Sequence, residues 1–397
     1  MEVQPDKKPT ELSDIPVEIF EYIIHHIVDM LDNDGGALFS CTQVCRSWYH
    51  VTLRFNCRYL IIKPGECQRF CELMDGNPLI SHFTREIIFM EHSYDDEKPN
   101  VDPWVNDTLK MFEGRLPNIE AMMFMSMHET GEISTVELFA NLAKYTGVKR
   151  LEMVGCSAPF PLIFAYICAF PNLETLNLKG IYDLPHEPNR FKLKLDYPKP
   201  SLKALRIRDV PYFKWVLLGW LTDSPSMDTL EWVVIEVTGW VPGLAEKFLR
   251  NLGPALTNLD IQICKGTGSK KNGEEEEFTP VNLQDYKYLK TLTLQTAVCE
   301  GTPPMLADLQ SKALRYLRFS VPPYRNSHHK HYKTLASALD KVRFPSSFEG
   351  IQFICEGEYE KMGIKREKLG RIFQKFSLRY PISFIHSGDV KRFWFIY

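Results

Sequence analysis

From about residue 80 onward a six-residue phrase keeps returning: apolar, two variable positions, apolar, one variable position, apolar. Clear copies run over 148–153, 173–178, 202–207, 256–261, 289–294 and 314–319, and weaker ones centre on Ile87, Met122, Leu230 and Ile351. The alternation predicts a short strand in each copy, with apolar positions on one face and the intervening positions on the other. Taking the fourth position as anchor places the phrases at 87, 122, 151, 176, 205, 230, 259, 292, 317 and 351, so the steps run from 25 to 35 residues.

Between the phrases lie helical patterns, at 136–145, 160–170, 212–221, 244–252 and 332–342. Helix and strand alternating at one period predict an α/β chain, a curved solenoid with parallel strands; an ordinary two-layer α/β domain is the alternative. Most steps lie near the upper end of the roughly 20–29 residues of leucine-rich repeats, and the three longest require inserted loops. In such a solenoid the apolar positions fill the core and the intervening ones face the concave side. Candidate target contacts are therefore Arg150, Glu152, Thr175, Asn177, Ala204, Arg206, Asn258, Asp260, Thr291, Thr293, Tyr316 and Arg318. Their mixed signs predict no simple acidic or basic target.

The first 55 residues carry a different pattern. Pro16 suits a first helical position, and Glu18 faces the positive end of the helix dipole. Ile19, Ile23 and Ile27 form one stripe, and Phe20, Ile24 and Leu31 form a second beside it. Asp32 to Gly36 break the helix, and a second helix carries Leu38, Cys41, Val44, Cys45, Trp48, Tyr49 and Val51. Two helices this apolar have more greasy surface than so small a unit can hide, which predicts a partner.

Ile15-Pro16-x-Glu18-Ile19 followed by Leu38-x-x-Cys41-x-x-Val44-Cys45-Arg46-Ser47-Trp48-Tyr49 resembles an F-box, from Leu12 to about Leu53. The irregular leucine-rich array behind it resembles those that follow F-boxes in fungal proteins. The resemblance implies a three-helix module that binds the Skp adaptor of a cullin-RING ubiquitin ligase. The matching contacts are Ile15, Pro16, Ile19, Ile23, Leu38, Cys41, Val44, Cys45 and Trp48. One departure is the long polar stretch between Ile24 and Leu38, which leaves the middle helix unplaced. The alternative is a leucine-rich scaffold whose N-terminal helices only cap the solenoid. The expected organisation is a polar lead at 1–11, the F-box at 12–55, a connecting segment at 56–82 and the solenoid at 83–397, with a charged loop at 265–278.

Composition narrows the function classes. Of 397 residues, 47 are basic and 50 acidic, giving a net charge of −3, so no global field draws nucleic acid or an anionic membrane. The ten cysteines form no Cys-x-x-Cys pair and sit among apolar neighbours, as buried thiols in a reducing compartment would. No secretory signal opens the chain and no apolar run approaches the roughly 20 residues of a membrane span, so a cytoplasmic or nuclear protein is expected. The sequon at Asn106 reads as accidental.

The chemistry-bearing clusters point the same way. Asp95-Asp96-Glu97 and His328-His329-Lys330-His331 read as solvated loops, and Gly266-Thr267-Gly268 lacks the rest of a phosphate-binding motif. No nucleophile elbow or zinc-binding helix is present. The expectation is a non-enzymatic subunit that needs no cofactor and recruits a protein target for ubiquitination.

Overall fold

The computed structural model describes residues 16, 18–19, 21–24, 40–44, 46–91, 104–128, 135–182, 198–210, 213–238, 242–264, 283–284, 286–294, 306, 309–321, 329–355 and 367–386. The readings placed on Ile15, Leu38, Cys45, Asp95 to Glu97 and the loop 265–278 lie outside them.

Twelve strands follow one another among the described residues. They are β1 (Tyr59–Ile62), β2 (Glu86–Met90), β3 (Ala121–Met125), β4 (Arg150–Val154), β5 (Thr175–Lys179), β6 (Ala204–Arg208), β7 (Trp232–Thr238), β8 (Asn258–Cys264), β9 (Thr291–Leu294), β10 (Tyr316–Val321), β11 (Gly350–Cys355) and β12 (Ile382–His386). The helices are α1 (Arg46–Asn56), α2 (Cys67–Gly76), α3 (Pro78–Phe83), α4 (Trp104–Met111), α5 (Thr135–Leu142), α6 (Phe160–Cys168), α7 (Phe213–Leu221), α8 (Ser226–Thr229), α9 (Pro242–Asn251), α10 (His329–Leu339) and α11 (Gln374–Ser377). The chain divides into two compact units, 1–152 and 153–397, at a point inside β4.

In the first unit β1, β2 and β3 are parallel, with Leu60 opposite Ile87 and Ile87 opposite Met122. A single carbonyl ahead of each strand accepts two successive N–H groups: Arg58 from Arg85 and Glu86, Arg85 from Glu120 and Ala121, Glu120 from Lys149 and Arg150. That bracket pins the register before the strand begins. Asn77 caps α3 by accepting the Leu79 N–H at 3.2 Å, with Pro78 at the first helical position. Phe89 stacks on Phe124 with ring centroids 5.0 Å apart beneath the helices. The buried Asn106 accepts from the Asn141 amide at 2.8 Å, so the sequon residue faces the interior and not solvent.

In the second unit the same bracket recurs on the carbonyls of Glu174, Lys203, Glu231, Thr257, Lys290 and Arg315. All pairs from β5 to β12 are parallel. Parallel neighbours need long crossovers, and helices such as α6 and α7 supply them. Every residue of α6 from Pro161 to Cys168 is buried, which is why its sequence shows no polar face.

Strands β3, β4, β5 and β6 end in a repeated left-handed corner, at Ser126, Gly155, Gly180 and Asp209, each four residues beyond an anchor. Glycine takes that corner without strain and aspartate tolerates it. Gly350, at φ +142°, opens β11 so close to Pro381 that an added Cβ would sit 2.4 Å from the proline carbonyl oxygen.

Several expectations need correction. The residue opposite Leu205 is Val233 and not Leu230, so the weak sixth copy lies three positions off the strand. The segment 56–82 contributes β1, α2 and α3. β12 adds a strand beyond the last phrase. His329 opens α10, so 329–331 are helical rather than loop.

Candidate functional site

Two surfaces carry the predicted contacts, one in each unit. The first begins with the helical residues 18–19, 21–24 and 40–42 and with α1. Ile24, Cys41 and Val51 close a small core, and Trp48 and Phe55 pack against it. An ion pair between Glu21 and Arg54, 3.1 Å long, ties the first helical segment to α1. Packing therefore sorts the predicted adaptor contacts. Cys41 is buried and Trp48 and Ile23 are half-buried, whereas Pro16, Ile19 and Val44 face solvent, the last two at 48% exposure. Tyr22, three residues from Ile19, is 72% exposed. The sequence stripes Ile19, Ile23, Ile27 and Phe20, Ile24, Leu31 do not include it.

The second surface is the outward face of β5 to β12. Register places Asn177, Arg206, Val234, Asp260, Thr293, Arg318, Gln352 and Ser383 in one row across eight strands. The row before it holds Thr175, Ala204, Trp232, Asn258, Thr291, Tyr316 and Gly350. Side chains in one row stand roughly 4.8 Å from strand to strand. The row is not uniformly open: Asp260 and Thr293 are buried, while Asn177, Arg206, Tyr316 and Arg318 are half-buried. Asp260 and Thr293 are thus covered, a correction to their reading as open contacts.

Charge on this face centres on Asp260. Its carboxylate lies 3.7 Å from the Arg208 guanidinium, with the aspartate side chain only 2% exposed. Arg318 donates from Nε to Gln352 Oε1 at 2.7 Å and lies 5.7 Å from the centroid of the Tyr316 ring. Burial lowers the Arg318 pKa, while Tyr316 and Asp260 act to raise it. Tyr316 donates its hydroxyl to Glu349, which raises the tyrosine pKa and lowers that of the glutamate. Lys179 and Arg208 share this face, outside the predicted set. The phrase ends one residue short of them, although Leu178-Lys179 and Ile207-Arg208 continue its alternation.

In the first unit Arg150 pairs with Glu86 and with Glu152. Burial raises the Glu86 pKa and outweighs the opposing pull of Arg150. No group of three or more His, Cys, Asp or Glu suited to a metal occurs among the described residues. Burial pushes the Cys67 thiol up to about 11 and Cys168 up to about 12, which suits packing and not nucleophilic chemistry. No helix among the described residues is long and apolar enough to cross a membrane.

No protein-family model and no curated protein matches the chain. Among solved structures it is similar to a Bacteroides fragilis protein determined as a structural-genomics target, at 14% identity and a TM-score of 0.31, over 82% of this chain and 72% of that one. It is also similar to TLR13 in its complex with ssRNA13, at 14% identity and a TM-score of 0.35; this match covers 80% of this chain and 39% of that one. The parallel α/β repeat rests on the register and the carbonyl brackets, not on these distant likenesses.

Proposed function

We propose that the chain is the substrate-receptor subunit of a Skp–cullin–F-box ubiquitin ligase: its N-terminal helices dock on the Skp adaptor and its strand face recruits a protein target. The observation that carries the reading is the exposed apolar set Ile19, Tyr22 and Val44 on segments whose opposite faces close on Ile24, Cys41 and Val51. Apolar side chains left outside a core that is already closed suit a second protein. The subunit makes no bond itself. It raises the effective concentration of the target at a conjugating enzyme, and proximity of that kind supplies rate without a catalytic group on this chain.

A second reading is favoured by one observation: the N-terminal helices and β1 to β3 belong to the same compact unit, as a solenoid cap would. In that case the chain is a repeat scaffold that binds protein without recruiting a ligase. Capture by purified Skp adaptor separates the two. The full chain should be captured, and Ile19→Asp with Val44→Asp should weaken capture by about 30-fold or more, the loss of at least one central interface residue. The thermal melt should stay unchanged because both positions face solvent. Capture unaffected by the substitutions, or none by the intact chain, leaves the scaffold.

A further inference from the structure

Three sulfur atoms converge in the first unit, outside both sets of predicted contacts. Cys67 and Cys71 stand at i and i+4 in α2, so both thiols lie on one side of that helix, one turn apart. The Cys67 thiol donates to Sδ of Met111, the last residue of α4, at 3.4 Å. The Cys71 thiol lies 4.0 Å from the Met111 carbonyl oxygen and within hydrogen-bonding reach of Cys67. Both cysteines are free thiols. The cluster is covered on one side and open on the other: Cys71 is buried and Cys67 half-buried, whereas Met111 is 38% exposed. A thioether this exposed, turned onto a half-buried thiol, hides little apolar area, so burial alone gives no reason for sulfur at all three positions.

We propose that Cys67, Cys71 and Met111 form a copper(I) site, with two thiolates and one thioether as ligands. Thiolate and thioether sulfur select this soft monovalent cation, whereas magnesium and calcium take oxygen ligands. Zinc fits less well. It takes thiolate, imidazole or carboxylate, four of them in a structural site, and no third His, Cys, Asp or Glu joins the two thiols among the described residues. Three-coordinate bonds of about 2.3 Å, the length of a zinc–thiolate bond, set sulfur atoms about 4 Å apart, a spacing that small side-chain rotations reach from the one observed. The open side at Met111 leaves the ion within reach of a copper donor.

Binding exchanges protons for metal. Burial, above all, raises the Cys67 pKa, while the Thr108 hydroxyl and the Arg115 guanidinium act to lower it. The ion replaces two S–H bonds by two S–Cu bonds, releases both protons to solvent and leaves a complex of charge −1, which Arg115 offsets. Copper enters and stays as copper(I), so no electron is transferred.

The test is anaerobic competition of the full chain for copper(I) held as its bicinchoninate complex, read by the loss of that complex's colour. The parent should remove one equivalent more than the Cys67→Ser, Cys71→Ser protein. Because Cys71 is buried, Cys67→Ser alone guards against loss through misfolding; it and Met111→Leu should each hold the ion roughly tenfold or more weakly. Excess zinc(II) should not displace it. Equal removal by parent and cysteine variants, no effect of Met111→Leu, or displacement by zinc overturns the inference. None of these outcomes bears on adaptor capture, because the three sulfur residues lie outside the predicted adaptor set.

Discussion

Replacing Phe164 by alanine is expected to destabilise the second unit by about 3–5 kcal/mol, the range for deleting a fully buried phenylalanine. Phe164 is 1% exposed in α6, a helix with no solvent-facing side from Pro161 to Cys168. Its ring meets Trp220 of α7 edge to face, centroids 5.1 Å apart, so the substitution removes a contact between consecutive helices as well as filled volume. Neighbours this well buried cannot collapse freely into the void. In a repeat array each element is held mainly by the one before and the one after it, and weakening α6 against α7 also loosens the flanking strands. Urea denaturation followed by tryptophan fluorescence measures the change. Phe164→Leu should lose markedly less, and an alanine variant within about 1 kcal/mol of the parent would contradict the packing described.

Asp260→Ala carries the second large effect, a loss of about 3 kcal/mol or more in the same unit. The carboxylate lies in the middle of the strand row, 2% exposed, with the Arg208 guanidinium 3.7 Å away and Arg318 within electrostatic reach. Removing Asp260 takes its carboxylate partner from Arg208, which is only 22% exposed, and the resulting penalty is larger than the pair's own attraction. Arg208→Leu combined with Asp260→Leu should therefore recover much of the loss, and the double-mutant cycle should show clear coupling. Chemical denaturation of the four proteins checks this; additive losses would mean that the two side chains stand apart in solution.

Much of the strand architecture is legible from spacing alone, and the reason is visible at each clear phrase. Leu151, Leu176, Leu205, Leu259, Leu292 and Leu317 all enter the core from a strand whose flanking positions are polar, Ala204 excepted, so period two survives in the sequence. At β7 it does not. Val233, Val234 and Ile235 are all buried, a continuous apolar run gives no register, and the pattern attached itself to Leu230, which is buried just after α8 instead. β1 escaped because Tyr59-Leu60-Ile61-Ile62 has no polar spacer at all.

The sites show the complementary limit. Alternation tells which face a residue takes but not how deep it lies there. Asp260 and Thr293 share a row with Arg206 and Arg318 yet are buried. At the N-terminus the F-box resemblance implies one adaptor surface. Packing divides it into Cys41 and Trp48 turned toward the core and Ile19 and Val44 turned toward solvent, a distinction a one-dimensional pattern does not contain.

Adaptor binding by the N-terminal helices, as proposed, is measured by calorimetric titration of the full chain with purified Skp adaptor. Saturable one-to-one binding is expected, with a negative heat-capacity change from apolar burial, lost in the Ile19→Asp, Val44→Asp protein while its melting temperature is kept. An absence of binding by the parent chain, or equal binding by the doubly substituted one, would contradict it.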